Sequence, residues 1–413
     1  MLDLSRILPK YVTFARLILR HMKILLINNI YAPYDRGGAE QVVKKTIDEL
    51  LAHGHQVVLI TGTPDGEEVV TDERCTIYRI HPNNIYFYTS GHRFHVIIRF
   101  FWHLLNLSNV FVLSKIKKIL IEESPDIVHT HNLMGLSFLI PSLIRTLNIR
   151  HIHTVHDVQL VEPSGMIIKQ KETCWRYNGL PTKLYTTITK KLFGSPDVVI
   201  SPSQFLHNFY ASRGFFKKSQ CVVIRNPIPF STYEIETNKK VSNSIHFLYV
   251  GQIEKHKGID ILVEAFLQVK NEDIRLNILG SGSQLEYLTD SAKNDTRIIF
   301  HGRATRQKVA DFFKKSDVTV VPSLCYENSP TVIFESFFFG VPVLASKMEG
   351  IAELIEEGKN GITFEAGNRE ELTQKIEELD REKIYAMSEN AKKVIEHMEK
   401  NPYIEQLLGI YNK

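Results

Sequence analysis

The sequence predicts an α/β protein built from two doubly wound, parallel-sheet domains. Three observations predict it. Short β-branched runs alternate with stretches whose apolar residues fall at helical spacing, the pattern of βαβ units. The alternation restarts after a polar stretch, TYEIETNKKVSNS, at Thr232 to Ser244. At 413 residues and 43% hydrophobic content the chain can bury a full core, and its length favours two or more domains. The expected divisions are a basic N-terminal extension (1–22), a first domain (23–235), a second domain (236–390) and C-terminal helices (391–413) that cross back to the first domain.

The elements follow in order. MLDLSRILPKYVTFARLILRH reads either as a membrane-surface segment or as upstream sequence from an early start codon; Pro9 interrupts its helical pattern and favours the second, with Met22 as the alternative start. MKILLINN, Met22 to Asn29, is the first strand. The helix AEQVVKKTIDELLAHG, stopped by Gly54, leads to the strand QVVLIT. PDIVHTH, RHIHTVHD and PDVVISPS are further strands separated by helical runs. After the polar stretch come IHFLYVGQ, the helix GIDILVEAFLQV, the strand RLNILGSGS, then RIIFHG, the helix KVADFFKKSD and the strand DVTVVPS.

Composition narrows the function classes. A net charge of +4 without a dense Lys/Arg block gives no reason to expect nucleic acid as a partner. The four cysteines, Cys75, Cys174, Cys221 and Cys325, are scattered and form no CxxC pair. With no secretory signal they point to a reducing compartment, so the expected location is cytoplasmic, or peripheral on the inner face of the plasma membrane. Residues 91–120, GHRFHVIIRFFWHLLNLSNVFVLSKIKKIL, are the most apolar and basic stretch. Arg93, Arg99, His103 and Asn106 interrupt it, which argues against a transmembrane helix. Two readings stay open: contact with an anionic membrane surface, or a helix pair packed on the first domain.

YENSPTVIFESFFFG, residues 326–340, places Glu327 and Glu335 in a mostly apolar run. A carboxylate removed from water without partners costs several kcal/mol, so donors must meet this pair, and a hydroxyl-rich ligand is one source. DVTVVPS reads as a buried strand, Ser329 as an N-cap, Pro330 as the first helical turn, and Gly340 with Pro342 as the stop. Glu327 then lies in the loop and Glu335 about 7.5 Å further along the helix axis. Both are expected to face the crevice beyond the carboxyl end of a strand, where the amides of Asn328 to Thr331 suit a phosphate. The alternative is an ordinary capped helix with a partly exposed glutamate.

VGQIEKHKGIDILVEAF, LNILGSGSQLEYL, FHGRATRQKVADFFKKSDVTVVPS and YENSPTVIFESFFFGVPVLASKMEGIAELIEEGKNGITFEAG together resemble the carboxyl-terminal half of glycosyltransferase family 4, retaining enzymes of the GT-B fold. MKILLINNIYAPYDRGGAEQVVKKTIDELLAHGHQVVLIT and PDIVHTHNLMG are similar to that family's first domain. The resemblance implies two Rossmann-like domains facing a cleft, a nucleotide-diphosphate sugar as co-substrate, no other cofactor, and a glycan or lipid-linked acceptor in surface-polysaccharide synthesis. It implies that Glu335 accepts ribose hydroxyls, that Glu327 meets the transferred sugar, and that Lys257 and the helix amides near Thr331 neutralise the diphosphate. Arg303, Ala304, Asn328, Ser329 and Pro330 complete the implied donor site. His131 would orient the sugar and stabilise positive charge near its anomeric carbon. The leaving diphosphate itself would take the acceptor's proton, in a front-face mechanism.

One position departs from the pattern. Where the family usually carries arginine the chain has Gln252, so Lys255 is the candidate second cation. Gly37 and Gly38, in DRGGAEQ, allow close backbone approach to the donor phosphate or the acceptor. No Asp-x-Asp occurs, so no metal is expected. His129, His131, His151 and His153, with His156 nearby, form two HxH pairs that admit a zinc reading, though the spacing also fits satisfied histidines packed at a sheet end, which is the favoured reading. The loop HDVQLVEPSG with ETCWRYNG resembles a cysteine-bearing subset of the family, but only Cys174 remains there. A nucleotide-sugar 2-epimerase and a non-catalytic nucleotide-sugar binder are the alternative functions.

Overall fold

The computed structural model describes residues 21–34, 37–72, 74–228, 230 and 244–413. Residues 1–20 of the extension, Asp35 and Arg36 of the glycine loop, and the expected boundary at 235 lie outside the described residues. The first sheet comprises β1 (Lys23–Asn28), β2 (Gln56–Gly62), β3 (Glu68–Asp72), β4 (Cys75–Ile80), β5 (Ile127–Thr130), β6 (Arg150–Thr154), β7 (Val198–Ser201) and β8 (Gln220–Val223). Its spatial order is β3-β4-β2-β1-β5-β6-β7-β8. The second sheet holds β9 (Ile245–Val250), β10 (Ile274–Leu279), β11 (Ile298–Gly302), β12 (Val318–Val321), β13 (Val343–Ser346) and β14 (Gly361–Phe364), in the order β11-β10-β9-β12-β13-β14.

Helices cover both faces, so the inner strands are apolar on both. In β1 this is direct: Ile24 and Leu26 enter one core cluster while Leu25 and Ile27 enter the other. Among the described strands only β3 runs antiparallel, pairing with β4. Every residue of β3 is exposed, so it lacks the apolar signal that exposes a strand to sequence reasoning. The order of each sheet reverses at one strand: β1 lies between β2 and β5, and β9 between β10 and β12. Connections leave such a switch point in opposite directions, which opens a crevice at the carboxyl ends of the two strands.

The C-terminal expectation needs one adjustment. Residue 390 falls inside a continuous helix, Arg381–Glu399, whose Ile384, Met387, Ala391 and Ile395 are buried with the second domain's cores. The chain leaves that domain about Pro402, the N-cap of the last helix, Tyr403–Tyr411. Ile404, Leu407, Leu408 and Tyr411 then join Met22 and Ile24 under the first sheet. Arg150 anchors this end by donating to the carbonyls of Tyr411 and Ile410 at 2.5 and 2.6 Å.

Residues 91–120 are a 3-10 turn (Tyr88–Arg93) and two helices, Val96–Leu107 and Val110–Glu123. Taken as one run, Val96–Glu123 has the length and composition to cross a membrane, with mean hydropathy 1.6. Ser108 and Asn109 divide it, and the Asn109 side chain caps the second helix by accepting from Val112 N at 3.3 Å. The pieces of 12 and 14 residues fall short of the roughly 20 a spanning helix needs. The second helix buries Val112, Ile116, Ile119 and Leu120 in the first domain's core.

Candidate active site

The second domain's switch point brings the predicted residues together. Lys257 ends a 3-10 turn, Lys255–Lys257, just beyond β9, and Glu327 follows β12. The Lys257 ammonium meets Glu327 Oε1 at 2.6 Å, and Ser323 Oγ donates to the same oxygen at 2.6 Å. Burial alone would lower the Lys257 pKa, but the Glu327 carboxylate outweighs it and raises the value. Two glycines hold this geometry. A Cβ on Gly258 (φ 67°) would sit 1.9 Å from the Pro322 carbonyl oxygen, and one on Gly350 would sit 2.0 Å from that of Glu327. No side chain fits at either, so backbone packs on backbone and fixes both loops.

The helix after Glu327 differs in detail from expectation. It spans Thr331–Phe338 with Pro330 as N-cap, because Pro330 is extended (ψ 119°) and the helical turn begins one residue later. Ser329 therefore does not cap it: its hydroxyl is buried without a partner, and no side chain caps this N-terminus. Pro330 has no amide, so Thr331 supplies the first helical donor. Glu335 is 3% exposed and paired with Arg306 NH2 at 3.0 Å. Burial raises its pKa, and Arg306 partly offsets that. Arg306, which also lies over the Phe230 ring, is a site residue that local pattern could not supply. Arg303 and Lys255 are exposed, Ala304 packs against the core, and Gln252 is exposed with its carbonyl accepting from Tyr249 OH at 2.6 Å.

The first domain's switch point faces it. Gly37 is the N-cap of the helix Gly38–Ala52, and its amide donates to Glu40 Oε2 at 2.8 Å. Gly38 lies against the second domain, where a Cβ would come within 3.3 Å of the Thr331 hydroxyl. His131, one residue past β5, is fully buried: its Nδ1 shares a hydrogen bond with His156 Nε2 at 2.9 Å, while its Nε2 has no partner. The ring lines a small pocket with His153, His156, Asp157 and Tyr210. Burial drives the His131 pKa well below the usual histidine value, so the ring is neutral.

The remaining histidines are held by hydroxyls. His129 is bonded to Tyr411 OH and Thr154 Oγ1 at 2.6 and 2.7 Å, and Thr130 Oγ1 meets His151 and His153 at 2.8 and 2.9 Å. Among the described residues no group of three or more His, Cys, Asp or Glu is disposed around one metal position. All four cysteines are unpaired.

His156 and Asp157 are half-buried at the carboxyl end of β6, and sequence reasoning gave neither a role in transfer. Asn328 Nδ2 donates across the cleft to the His156 carbonyl at 2.8 Å. Burial pushes the Asp157 carboxyl up to about 7 and the His156 ring down to about 4. Ile167 and Lys169 also bridge the domains, pairing by backbone hydrogen bonds of 2.8 Å with Tyr326 and Leu324.

Two sheets of this order, set with switch points opposed across a cleft, define the GT-B architecture of sugar-transferring enzymes. Residues 36–231 match the model of Glycosyltransferase Family 4, and residues 232–394 that of Glycosyl transferases group 1. The chain belongs to this family of glycosyltransferases. It is 26% identical over 335 residues to an uncharacterized 42.6 kDa protein in the cps region of Klebsiella pneumoniae, covering 81% of this chain and 87% of that one. It is 30% identical over 182 residues to the lipopolysaccharide 1,2-N-acetylglucosaminetransferase of Salmonella typhimurium, covering 40% and 47%. Anabaena HepE, solved in complex with UDP-glucose, superposes with a TM-score of 0.68 at 16% identity, covering 95% of this chain and 100% of that one.

Proposed function

We propose that the protein is a retaining, metal-independent glycosyltransferase that moves a sugar from a nucleotide-diphosphate sugar to a glycan or lipid-linked glycan in surface-polysaccharide synthesis. One observation carries the reading. Buried polar atoms without partners stand on the loops that follow β5 and β12 at the cleft: His131 Nε2, Asn328 Oδ1 and Ser329 Oγ. Such atoms are rare and costly in native proteins unless a ligand satisfies them. A sugar diphosphate presents both hydroxyl donors and phosphate acceptors. The UDP-glucose complex of HepE and the lipopolysaccharide acceptor named for the Salmonella relative support the donor and acceptor classes.

In this mechanism Lys257 turns from Glu327 to the diphosphate, stabilising charge that grows as the bond from the anomeric carbon to the phosphate oxygen breaks. Glu327, released, accepts a hydroxyl of the transferred sugar, while Glu335 accepts from the ribose. The acceptor oxygen bonds to the anomeric carbon on the face the phosphate leaves, and its proton passes to the departing phosphate oxygen. Calorimetry with UDP, GDP and ADP, then turnover of the matching sugar nucleotide with and without EDTA, tests this. Uptake of one diphosphate, an unchanged anomeric configuration in the product by NMR, and indifference to EDTA are expected. Absence of uptake overturns the donor class, inversion overturns the mechanism, and loss of rate in EDTA overturns metal independence.

A further inference from the structure

The helix Val96–Leu107 is inverted relative to an ordinary surface helix. The side chains of Trp102 and Asn106 face inward, while Arg99 is exposed. Asn106 is 1% exposed and accepts from Gly135 N at 2.5 Å; Trp102 is 2% exposed and donates to the Tyr86 carbonyl at 2.7 Å; Arg99 sits beside the Tyr86 phenol. His103 is largely buried, which pushes its pKa down to about 4 and leaves it uncharged. The outward stripe is wholly apolar: Ile97, Phe100, Phe101, Leu104 and Leu105, at helical spacing, are between 47% and 64% exposed. Val110 and Phe111, 57% and 64% exposed, continue it into the next helix. Monomeric soluble proteins rarely leave so continuous an apolar strip uncovered.

We propose that this strip seats the protein on the surface of an anionic lipid bilayer, the helix lying in the plane of the headgroups. Charge selects the occupant. From residue 74 to residue 121 the sequence holds no Asp or Glu. Arg93 precedes the strip, and Lys117 and Lys118 follow it, all three exposed, with Lys118 3.7 Å from Glu122 of the next turn. An apolar centre flanked by cations suits acyl chains beneath anionic headgroups. A second copy of the chain would set like charges against each other. The strip also flanks the reacting end of the first sheet, because Trp102 packs near Gly135, four residues beyond His131. An acceptor carried on a lipid would therefore arrive beside the cleft. Docking does not require the transfer reading, so each can fail without the other.

Flotation of the full-length protein with vesicles of phosphatidylcholine, alone or mixed with phosphatidylglycerol, tests it. Wild type should float with the mixed vesicles, less so in high salt, and stay unbound with phosphatidylcholine alone. Phe100→Glu with Leu104→Glu should cut binding by about tenfold or more, and Lys117→Ala with Lys118→Ala by about tenfold. Unchanged circular dichroism and nucleotide-diphosphate uptake would show that the variants are folded. Absence of flotation overturns the proposal, as does flotation that the apolar variant leaves unaltered. A wild-type dimer that this variant converts to monomer would assign the strip to self-association and also overturn it.

Discussion

On the second domain's wall of the cleft, each buried acid stands beside a cation: Glu327 with Lys257 at 2.6 Å and Glu335 with Arg306 at 3.0 Å. On the first domain's wall the ionisable groups at the strand ends are histidines that burial keeps uncharged, with His129 and His153 pushed down to about 3 and His156 to about 4. In the proposed reaction the difference matches what each wall would meet. Fixed ion pairs can exchange partners with a diphosphate and its hydroxyls at little net cost, because charge is replaced by charge. Neutral rings suit an uncharged sugar near which positive charge appears only during bond breaking.

The largest effect that would sharpen this contrast is at Lys257. Lys257→Ala should lower turnover by about 10²–10³-fold, as loss of one preorganised electrostatic contact does, whereas Lys255→Ala should change it far less. Near-normal rates in both variants would reduce the Lys257–Glu327 pair to a structural tie. Arg306→Ala should weaken nucleotide-diphosphate binding about tenfold by calorimetry, because an unpaired, buried Glu335 takes up a proton and accepts ribose hydroxyls less well.

Asp157 is the exception on the neutral wall, and its titration tests the rule. Its pKa rises on folding to about 7, so the folded state holds its proton more tightly than the unfolded chain does. That contribution is fully present below the unfolded value near 4 and is lost as pH climbs through 7. The histidines act oppositely: with folded values below 6.5, they cost stability as pH falls beneath that. Asp157→Asn should therefore raise the melting temperature by a few degrees at pH 8 and by less at pH 5. Equal shifts at both would mean that the carboxylate is already ionised in the folded state. The smallest effect is at the hydroxyl partners: Tyr411→Phe should cost about 1 kcal/mol in urea unfolding by removing the bond to His129.

The sequence carried the βαβ rhythm because buried strands and amphipathic helices each have a period of their own. It also carried Glu327, Lys257 and the glycines, which fall in loops directly after strands. The edge strand β3 stayed hidden because exposure removes its pattern, and Pro330 displaced Ser329 as cap through a backbone angle that composition does not fix. Arg306 and the carbonyl of His156 were invisible for another reason. Each meets its partner, 29 and 172 residues distant, only once separate elements have packed.

The last helix has a mechanical consequence. Because the chain returns to the first domain at Tyr403–Tyr411, the two lobes are tethered twice, once between residues 224 and 244 and once near Pro402. A relative movement of the lobes would have to bend the chain at both crossings, and Pro402, extended at ψ 144°, stands at the second of them.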